Sequence, residues 1–214
     1  MSEVFVRRAT GISALVLTLT VFAVVPLYFV HDGAPPAANV LTRNFVTLLS
    51  CAAMLFFVSG FAHVLRRAGA EGEWLASLFQ ASGMLYVGLA LVAASLEVGV
   101  VFGAPDGMRD PTIHGPLAEG NMLIQGPVKR LVTAIMLIAA GLGVLRTRVA
   151  PRWIGYAAFG FAAFNLCFLP SMFHGTDPTR FYSTIGWGNT AFCGSLFTWW
   201  IAAAGILVWR RSGQ

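Results

Sequence analysis

The sequence predicts an all-α protein, a polytopic membrane bundle of about six transmembrane helices with both termini in the cytoplasm. Three observations support this: the composition, a set of long apolar segments, and an uneven distribution of basic residues. The chain is 57% hydrophobic and only 11% charged, and its mean hydropathy is +0.74. A soluble domain carries about 25% charged residues. Because so few charged side chains could not cover a surface that faces water, most of the surface must face lipid.

Six apolar segments reach or approach the length of about 20 residues that a helix needs to cross the hydrocarbon core. The first follows Arg7 and Arg8, but it exceeds the roughly 7–15 apolar residues of a secretory signal, so we expect a span. Pro127 should kink or break the fourth segment. We expect residues 1–214 to form a single transmembrane domain. The predicted segments are Gly11–Val30, Asn44–Leu65, Leu75–Phe102, Leu117–Leu145, Trp153–Phe173 and Trp187–Trp209.

The basic residues indicate how the segments are oriented. Near one set of segment ends lie Arg7, Arg8, Arg66, Arg67, Arg146, Arg148, Arg152, Arg210 and Arg211, and near the other set only Arg43, Arg109 and Arg180. Basic residues concentrate in cytoplasmic loops, so this bias places both termini in the cytoplasm and the protein in the inner (plasma) membrane. The bias also explains the net charge of +5 without a nucleic-acid partner.

Three charged residues fall at similar heights on consecutive segments. Counting along the third and fourth segments places Glu97 at the outer hydrocarbon border and Lys129 and Arg130 a few residues inside it. A charge in hydrocarbon costs about 2.5–3.5 kcal/mol on insertion scales, so we expect these side chains to turn inward. Three interpretations stay open. Glu97 forms a bridge with Lys129 or Arg130 that only holds two helices together, the three line a charged wall of an outward-facing cavity, or their charged ends snorkel to the interface.

Residues 165–189 combine polar, aromatic, Gly and Pro residues between two apolar segments, and we expect them to cap the outer face above a cavity. Asn165 lies at mid-bilayer and should make an interhelical hydrogen bond or contact a ligand. Asp177 precedes Pro178 and is either a turn residue or a reactive carboxylate. The aromatic rings of the region suit an interfacial belt, or a cavity lining for a cationic or flat apolar guest. The candidate cavity residues here are Phe168, Phe173, His174, Arg180, Tyr182 and Trp187.

The sequence lacks the common motifs for cofactors and metals. It contains no Gly-rich phosphate loop, HExxH, GxSxG or EF-hand pattern. The stretch from Asp106 to Asp110 is the nearest approach to a magnesium-binding sequence, and its spacing does not match one. We therefore expect no metal and no cofactor.

Two segments carry a resemblance to known proteins. Through Arg148–Gly155 and Phe181–Gly188 the layout resembles a group of small six-span bacterial membrane proteins of unknown function, which implies no activity. More weakly, the chain is similar to the small integral-membrane terpene cyclases, although the usual member has seven spans. That resemblance implies a proton-initiated, metal-independent enzyme with carboxylates near an aromatic-lined cavity.

We therefore expect a membrane-bound enzyme of isoprenoid biosynthesis, a cyclase of lyase or isomerase type, whose lipophilic substrate enters from membrane lipid. Glu97 and Asp177 are the candidate acid and base, since a carboxylic acid kept neutral by burial could protonate an alkene. A non-enzymatic binding, transport or accessory protein that uses the same cavity is the alternative, and a purely structural subunit is a third. The expected substrate-binding residues are Asn165, Phe168, Phe173, Tyr182, Trp187, Lys129, Arg130, His174 and Arg180.

Overall fold

The computed structural model describes residues 2–31, 33–103 and 117–211, and of Glu71 only the backbone. These ranges are largely helical and contain no strand. The α-helices in chain order are α1 (Glu3–Val24), α2 (Ala37–Arg67), α3 (Glu71–Gly103), α4 (Ala118–Leu123), α5 (Lys129–Thr147), α6 (Arg152–Cys167) and α7 (Cys193–Arg210). Shorter helical turns extend or join them at Val25–Tyr28, Ile124–Val128, Leu169–His174 and Gly188–Phe192.

Six of the resulting helical segments are long and apolar enough to cross a membrane, which confirms the predicted six-span helical bundle. α4 and α5 together make the fourth span. The segments are Glu3–Tyr28, Ala37–Arg67, Gly72–Gly103, Ala118–Thr147, Arg152–His174 and Gly188–Arg210. The chain is therefore built as a multi-pass membrane protein.

The first span begins earlier than its apolar pattern predicts because polar residues start the helix. Ser2 is the N-cap, and its hydroxyl oxygen accepts a hydrogen bond from the amide of Phe5 at 3.4 Å. Glu3 and Arg7 form an ion pair one turn apart, with 2.6 Å between Oε1 and Nη2. These contacts stabilise a first turn that hydropathy alone does not identify.

The fourth span is broken where Pro127 predicts a kink. Gly126 has non-helical backbone angles, φ −92° and ψ −113°, and the five residues Ile124–Val128 form a wider π-type turn. The proline has no amide hydrogen and its ring crowds the preceding turn, so a regular helix cannot continue through it. The kink separates α4 from α5 and directs α5 along a new axis.

The spans form a closed ring in which neighbours pack in the order α1, α2, α3, α5, α6 and α7, with α7 returning to α1. Both described chain ends lie at one end of the bundle, called here the terminal end, where Arg211 donates a hydrogen bond to the carbonyl of Arg148. The opposite end, called the distal end, holds the connection after α1 and the one between α6 and α7. Which side of a membrane the distal end faces stays a prediction from the basic residues.

The half of the bundle nearer the terminal end is filled by aromatic side chains. Phe61 contacts Phe79 and Trp200, with ring centroids 5.1 and 5.9 Å apart, and all three are buried. The indole nitrogen of Trp200 donates to the carbonyl of Ile154 at 3.1 Å, which joins α7 to α6. Because this half is closely packed, the buried charges and the cavities described below lie toward the distal end.

One placement made from the sequence is wrong. Arg43 was expected in a loop, but it lies in the second turn of α2 and is buried. The helix starts directly after Pro36, ahead of the apolar run, and so includes residues that hydropathy places outside. Arg109 and the stretch Asp106–Asp110 lie outside the described residues.

Candidate functional site

The connection between α6 and α7, residues 175–187, folds down onto the distal end of the bundle, and we call it the capping loop. The amide of Thr184 donates to the carbonyl of Gly175 at 2.9 Å, which closes the loop on itself. The buried side-chain amide of Asn189 donates to the hydroxyl of Ser171 at 2.9 Å and to the carbonyl of Thr184 at 2.8 Å. Tyr182 donates from its hydroxyl to the carbonyl of Cys167 at 2.6 Å. The loop is thus held to both helices that it joins.

The kink in the fourth span provides the seat for this loop. A Cβ atom at Gly126 would overlap the carbonyl oxygen of Thr184, so only glycine allows the two backbones to approach this closely. The same kink that Pro127 imposes therefore lets the loop settle between spans.

Beneath the capping loop lies a cavity of about 280 Å³, called the distal cavity. Its walls come from the ends of three spans, the first, fourth and sixth, and from the loop itself. Most of the lining is apolar, with a few side-chain amides and hydroxyls. The lining residues are Val25, Tyr28, Phe29, Asn121, Met122, Gln125, Pro178, Ile185, Trp187, Thr190 and Ala191. The expected space under the loop is therefore present as a cavity.

A second cavity of about 170 Å³, called the central cavity, lies deeper among α1, α2, α3, α5 and α7. Val25, Tyr28 and Gln125 line both cavities, so the two adjoin. Small-molecule sites span about 300–1,000 Å³, a range that neither cavity reaches alone and the joined space does. Toward the terminal end the central cavity is closed by apolar residues that include Leu17, Met54 and Ile201.

Three polar residues at intervals of four run down the wall of both cavities, and we call them the polar stripe: Asn121, Gln125 and Lys129. Asn121 lines the distal cavity, Gln125 lines both, and Lys129 lines the central cavity. Asn121 is only 3% exposed, and within the described part of the chain its Oδ1 atom has no hydrogen-bond donor. A buried acceptor without a donor is costly, so this atom suits a ligand that can donate a hydrogen bond.

Glu97 is held behind the cavity wall by three donors. Its Oε2 atom accepts from Arg43 Nη2 and Asn44 Nδ2, each at 3.1 Å, and its Oε1 atom accepts from Gln125 Nε2 at 2.7 Å. Glu97 is 1% exposed, and Arg43 also lies 4.4 Å from the ring centroid of Tyr28. The expected bridge to Lys129 or Arg130 is therefore wrong, and the partner is Arg43. The helix rotation that selects a partner is set by packing and cannot be read from depth along the chain.

Lys129 and Arg130 point to different neighbours. Lys129 Nζ lies 5.2 Å from the ring centroid of Tyr86. Arg130 is 3% exposed, and its Nη1 atom donates to Asn165 Oδ1 at 3.3 Å, which joins α5 to α6. The Cys193 thiol also contacts Arg130. Asn165 thus makes the interhelical hydrogen bond that was one of its two expected roles, and it lines neither cavity.

Asp177 lies at the surface of the capping loop. Its carboxylate accepts from the amide of Thr179 at 2.9 Å and from the Thr179 hydroxyl at 2.7 Å, and it pairs with Arg180 at 3.2 Å. These hydrogen bonds, with a smaller contribution from the Arg180 guanidinium, hold the pKa of Asp177 below its ordinary value. The contacts are those of a turn residue, and they stabilise a carboxylate rather than a neutral acid.

The predicted aromatic lining is only partly brought together. Trp187 lines the distal cavity and is 46% exposed. Phe168 is buried against Tyr182, with ring centroids 5.1 Å apart, and His174 contacts the other side of Tyr182 at the same distance. These three support the loop and line neither cavity, while Phe173 is 83% exposed. Glu97 and Asp177 share no hydrogen-bond partner, so the structure gives no paired acid and base.

Sequence reasoning missed several residues of this site. The missed residues are Tyr28, Arg43, Asn44 and Asn121, and Gln125 was given little weight. The repeat Asn121, Gln125, Lys129 carries a signal, because polar residues four apart in an apolar helix share one face. Arg43 and Asn44 carry a different signal, two consecutive polar residues directly before the apolar run of α2. Within the described ranges no group of three or more His, Cys, Asp or Glu residues lies close enough to hold a metal ion.

Fold and site together define a class: a six-span helical membrane protein with a buried ion pair and two adjoining cavities in the half away from its chain ends. Comparisons of the chain with protein-family models, curated proteins and solved structures gave no match. The resemblance to small six-span bacterial membrane proteins and to membrane terpene cyclases therefore stays a prediction.

Proposed function

We propose that this protein binds a lipophilic small molecule in the joined distal and central cavities, which the molecule enters from the outer half of the inner (plasma) membrane. The observation that carries the proposal is the polar stripe set into an otherwise apolar cavity wall. A site of this kind matches the usual lining of small-molecule pockets, largely apolar with a few placed polar groups.

Lipid access is supported by the residues at the cavity mouth. Phe29 and Trp187, which line the distal cavity, are 65% and 46% exposed. A ligand dissolved in the bilayer would meet these rings before it reached the amides of the stripe. Isoprenoids with a terminal hydroxyl fit such a gradient, because the hydroxyl could donate to Asn121 Oδ1 while the chain contacts the apolar wall.

The test is photoaffinity labelling with a C15 isoprenoid alcohol that carries a diazirine, with the protein in phosphatidylcholine nanodiscs. We expect peptide mapping to place the cross-links on residues 178–191 and 121–125. Replacing the cavity-lining Ala191 by Trp should fill the distal cavity and remove most of the labelling. Ala52→Trp, at an exposed position of α2, is the matched control and should label like the wild type. Uniform labelling of lipid-facing helices in all three proteins would contradict the proposal.

A second proposal keeps the same cavity for catalysis, namely proton-initiated cyclisation of an isoprenoid. The observation that favours it is Glu97, a buried carboxylate linked to the cavity wall through Gln125. Glu97, which is paired with Arg43, is the candidate base that removes a proton from a carbocation. Asp177 keeps its proposed role as acid only if a substrate displaces Thr179 and Arg180 from its carboxylate.

Membranes containing the protein should then convert a farnesylated small molecule into an isomer of unchanged mass. Glu97→Gln and Asp177→Asn should each abolish turnover while labelling by the photoprobe persists. Full turnover in both variants would end the catalytic proposal and leave the binding proposal intact.

A further inference from the structure

Lys129 is the only lysine in the chain, and every other strongly basic residue is an arginine. It is the first residue of α5, immediately after the kink at Gly126 and Pro127, and it lines the central cavity. Its side chain is partly buried within a membrane-spanning segment. Lysine differs from arginine in carrying a compact point charge on a flexible stem, which suits contact with a single small anionic group.

The described part of the chain provides no counter-charge for this ammonium group. Both oxygens of Glu97 are taken by Arg43, Asn44 and Gln125, and the ion pairs of the described residues do not include Lys129. Its Nζ atom lies 5.2 Å from the ring centroid of Tyr86, and a neutral ring does not replace an opposite charge. An ionised residue at this depth normally pairs with an opposite charge. Among the described residues no acidic side chain pairs with Lys129, so the place of the counter-ion is open to a ligand.

The surroundings of Lys129 add positive charge rather than remove it. Arg130 is adjacent, and its contacts are the neutral side chains of Asn165 and Cys193. The hydroxyls of Thr47 and Thr198, which also line the central cavity, donate to carbonyls of their own helices at 2.8 Å. A cation would be repelled by this environment, and a neutral group would leave the ammonium unpaired. An anion would pair with the Lys129 ammonium.

We propose that the ligand is a lipophilic anion whose small head group binds Lys129 in the central cavity and whose apolar chain runs past Gln125 along the apolar lining of the distal cavity. This inference rests on the proposed binding function and names the chemical class of its ligand. The volume of about 170 Å³ limits the head to a small group such as a carboxylate or a phosphate monoester. Because the cavities adjoin at Gln125, one chain can occupy both.

The experiment measures competition against the isoprenoid photoprobe by three ligands with the same C12 chain: dodecanoate, dodecyl phosphate and dodecanol. Free concentrations are corrected with protein-free nanodiscs. A charged hydrogen bond favours the anions by ~tenfold or more over dodecanol. Lys129→Gln should reduce competition by the two anions to the level of dodecanol, whereas Lys129→Arg should retain the preference for the anions. The carboxylate and phosphate arms show which of the two head groups binds more tightly.

A second measurement uses the fact that Lys129 and the chain's α-amino group are the only primary amines. Reductive methylation followed by mass spectrometry should show Lys129 protected by dodecanoate or dodecyl phosphate and not by dodecanol, with the α-amino group as internal reference. Equal competition by all three ligands would overturn the anion proposal but keep the cavity as a binding site. An anion preference that persists in Lys129→Gln would also overturn it, and no competition by any ligand would refute the binding function itself.

Discussion

The buried pair of Arg43 and Glu97 allows a quantitative prediction, because each side chain satisfies the other at almost no exposure to solvent. Removing one partner of a buried ion pair costs about 3–5 kcal/mol, since the remaining charge is left without compensation. Glu97→Met should cost more than Arg43→Met. Loss of the carboxylate removes an acceptor from Arg43, Asn44 and Gln125, of which Asn44 still donates to a carbonyl of its own helix one turn earlier. Loss of the guanidinium leaves Glu97 with two amide donors.

The double variant Arg43→Met/Glu97→Met separates pairing from simple loss of a side chain. Replacing both members of a buried ion pair by apolar groups of similar size is often neutral, so the double variant should recover at least half of the larger single loss. The coupling free energy should be ~2 kcal/mol or more. The assay is reversible unfolding in SDS–detergent mixtures, followed by circular dichroism at fixed total detergent.

A matched surface pair provides the control for this cycle. Glu3 and Arg7 form an ion pair at the terminal end, and the Glu3 carboxylate is exposed. Exposed pairs contribute little because water and salt screen them, so Glu3→Met and Arg7→Met should leave the unfolding midpoint nearly unchanged. Additive losses for Arg43 and Glu97, or single losses no larger than those at Glu3 and Arg7, would refute the reasoning.

Two further predictions concern the capping loop. Gly126→Ala should destabilise the protein by about 1–3 kcal/mol because its methyl group overlaps the carbonyl of Thr184, whereas Gly160→Ala, with open space at that position, should be neutral or stabilising in the same unfolding assay. Asp177 has a lowered pKa, so the stability it gives the loop is complete above its ordinary value of 3.8 and is lost as pH falls through the lower folded value. The rate of hydrogen exchange at residues 175–187 should therefore rise more at low pH in the wild type than in Asp177→Asn. In that variant the hydrogen bonds of Thr179 no longer depend on a titrating group. Parallel pH profiles of the exchange rate in the two proteins would contradict this prediction.

Much of the fold follows from the composition and spacing of the residues. Six apolar stretches, the polar starts of the helices and the proline in the fourth span lead to six helical spans with one kink. The depth of a residue within its span also follows from the sequence, because a helix rises a fixed distance per residue. That count placed Glu97 near one end of the third span, and in the structure it lies in the last turns of α3.

Pairing between helices is where the sequence reasoning went wrong. Glu97 could reach any cation at its depth, and Lys129 and Arg130 were nearer along the chain than Arg43. Hydropathy also started the second span at Asn44, which left Arg43 outside the predicted helix, whereas α2 begins at Ala37. Nothing in a single sequence reports how each helix is rotated about its own axis, and that rotation decides which side chains meet.

The amino-acid sequence by itself determined that this chain forms helices within lipid, because hydrocarbon offers no hydrogen-bond partners for an open backbone. It also determined how many spans the chain makes and where one of them bends. Only the tertiary structure decided that Glu97 pairs with Arg43 and that Asn121, Gln125 and Lys129 share one cavity wall. It also placed Phe168, Tyr182 and His174 in support of a loop rather than in the lining of a site. The physical reason is that burial energy fixes which segments enter the membrane, whereas close packing around residues such as Gly126 fixes how those segments face one another.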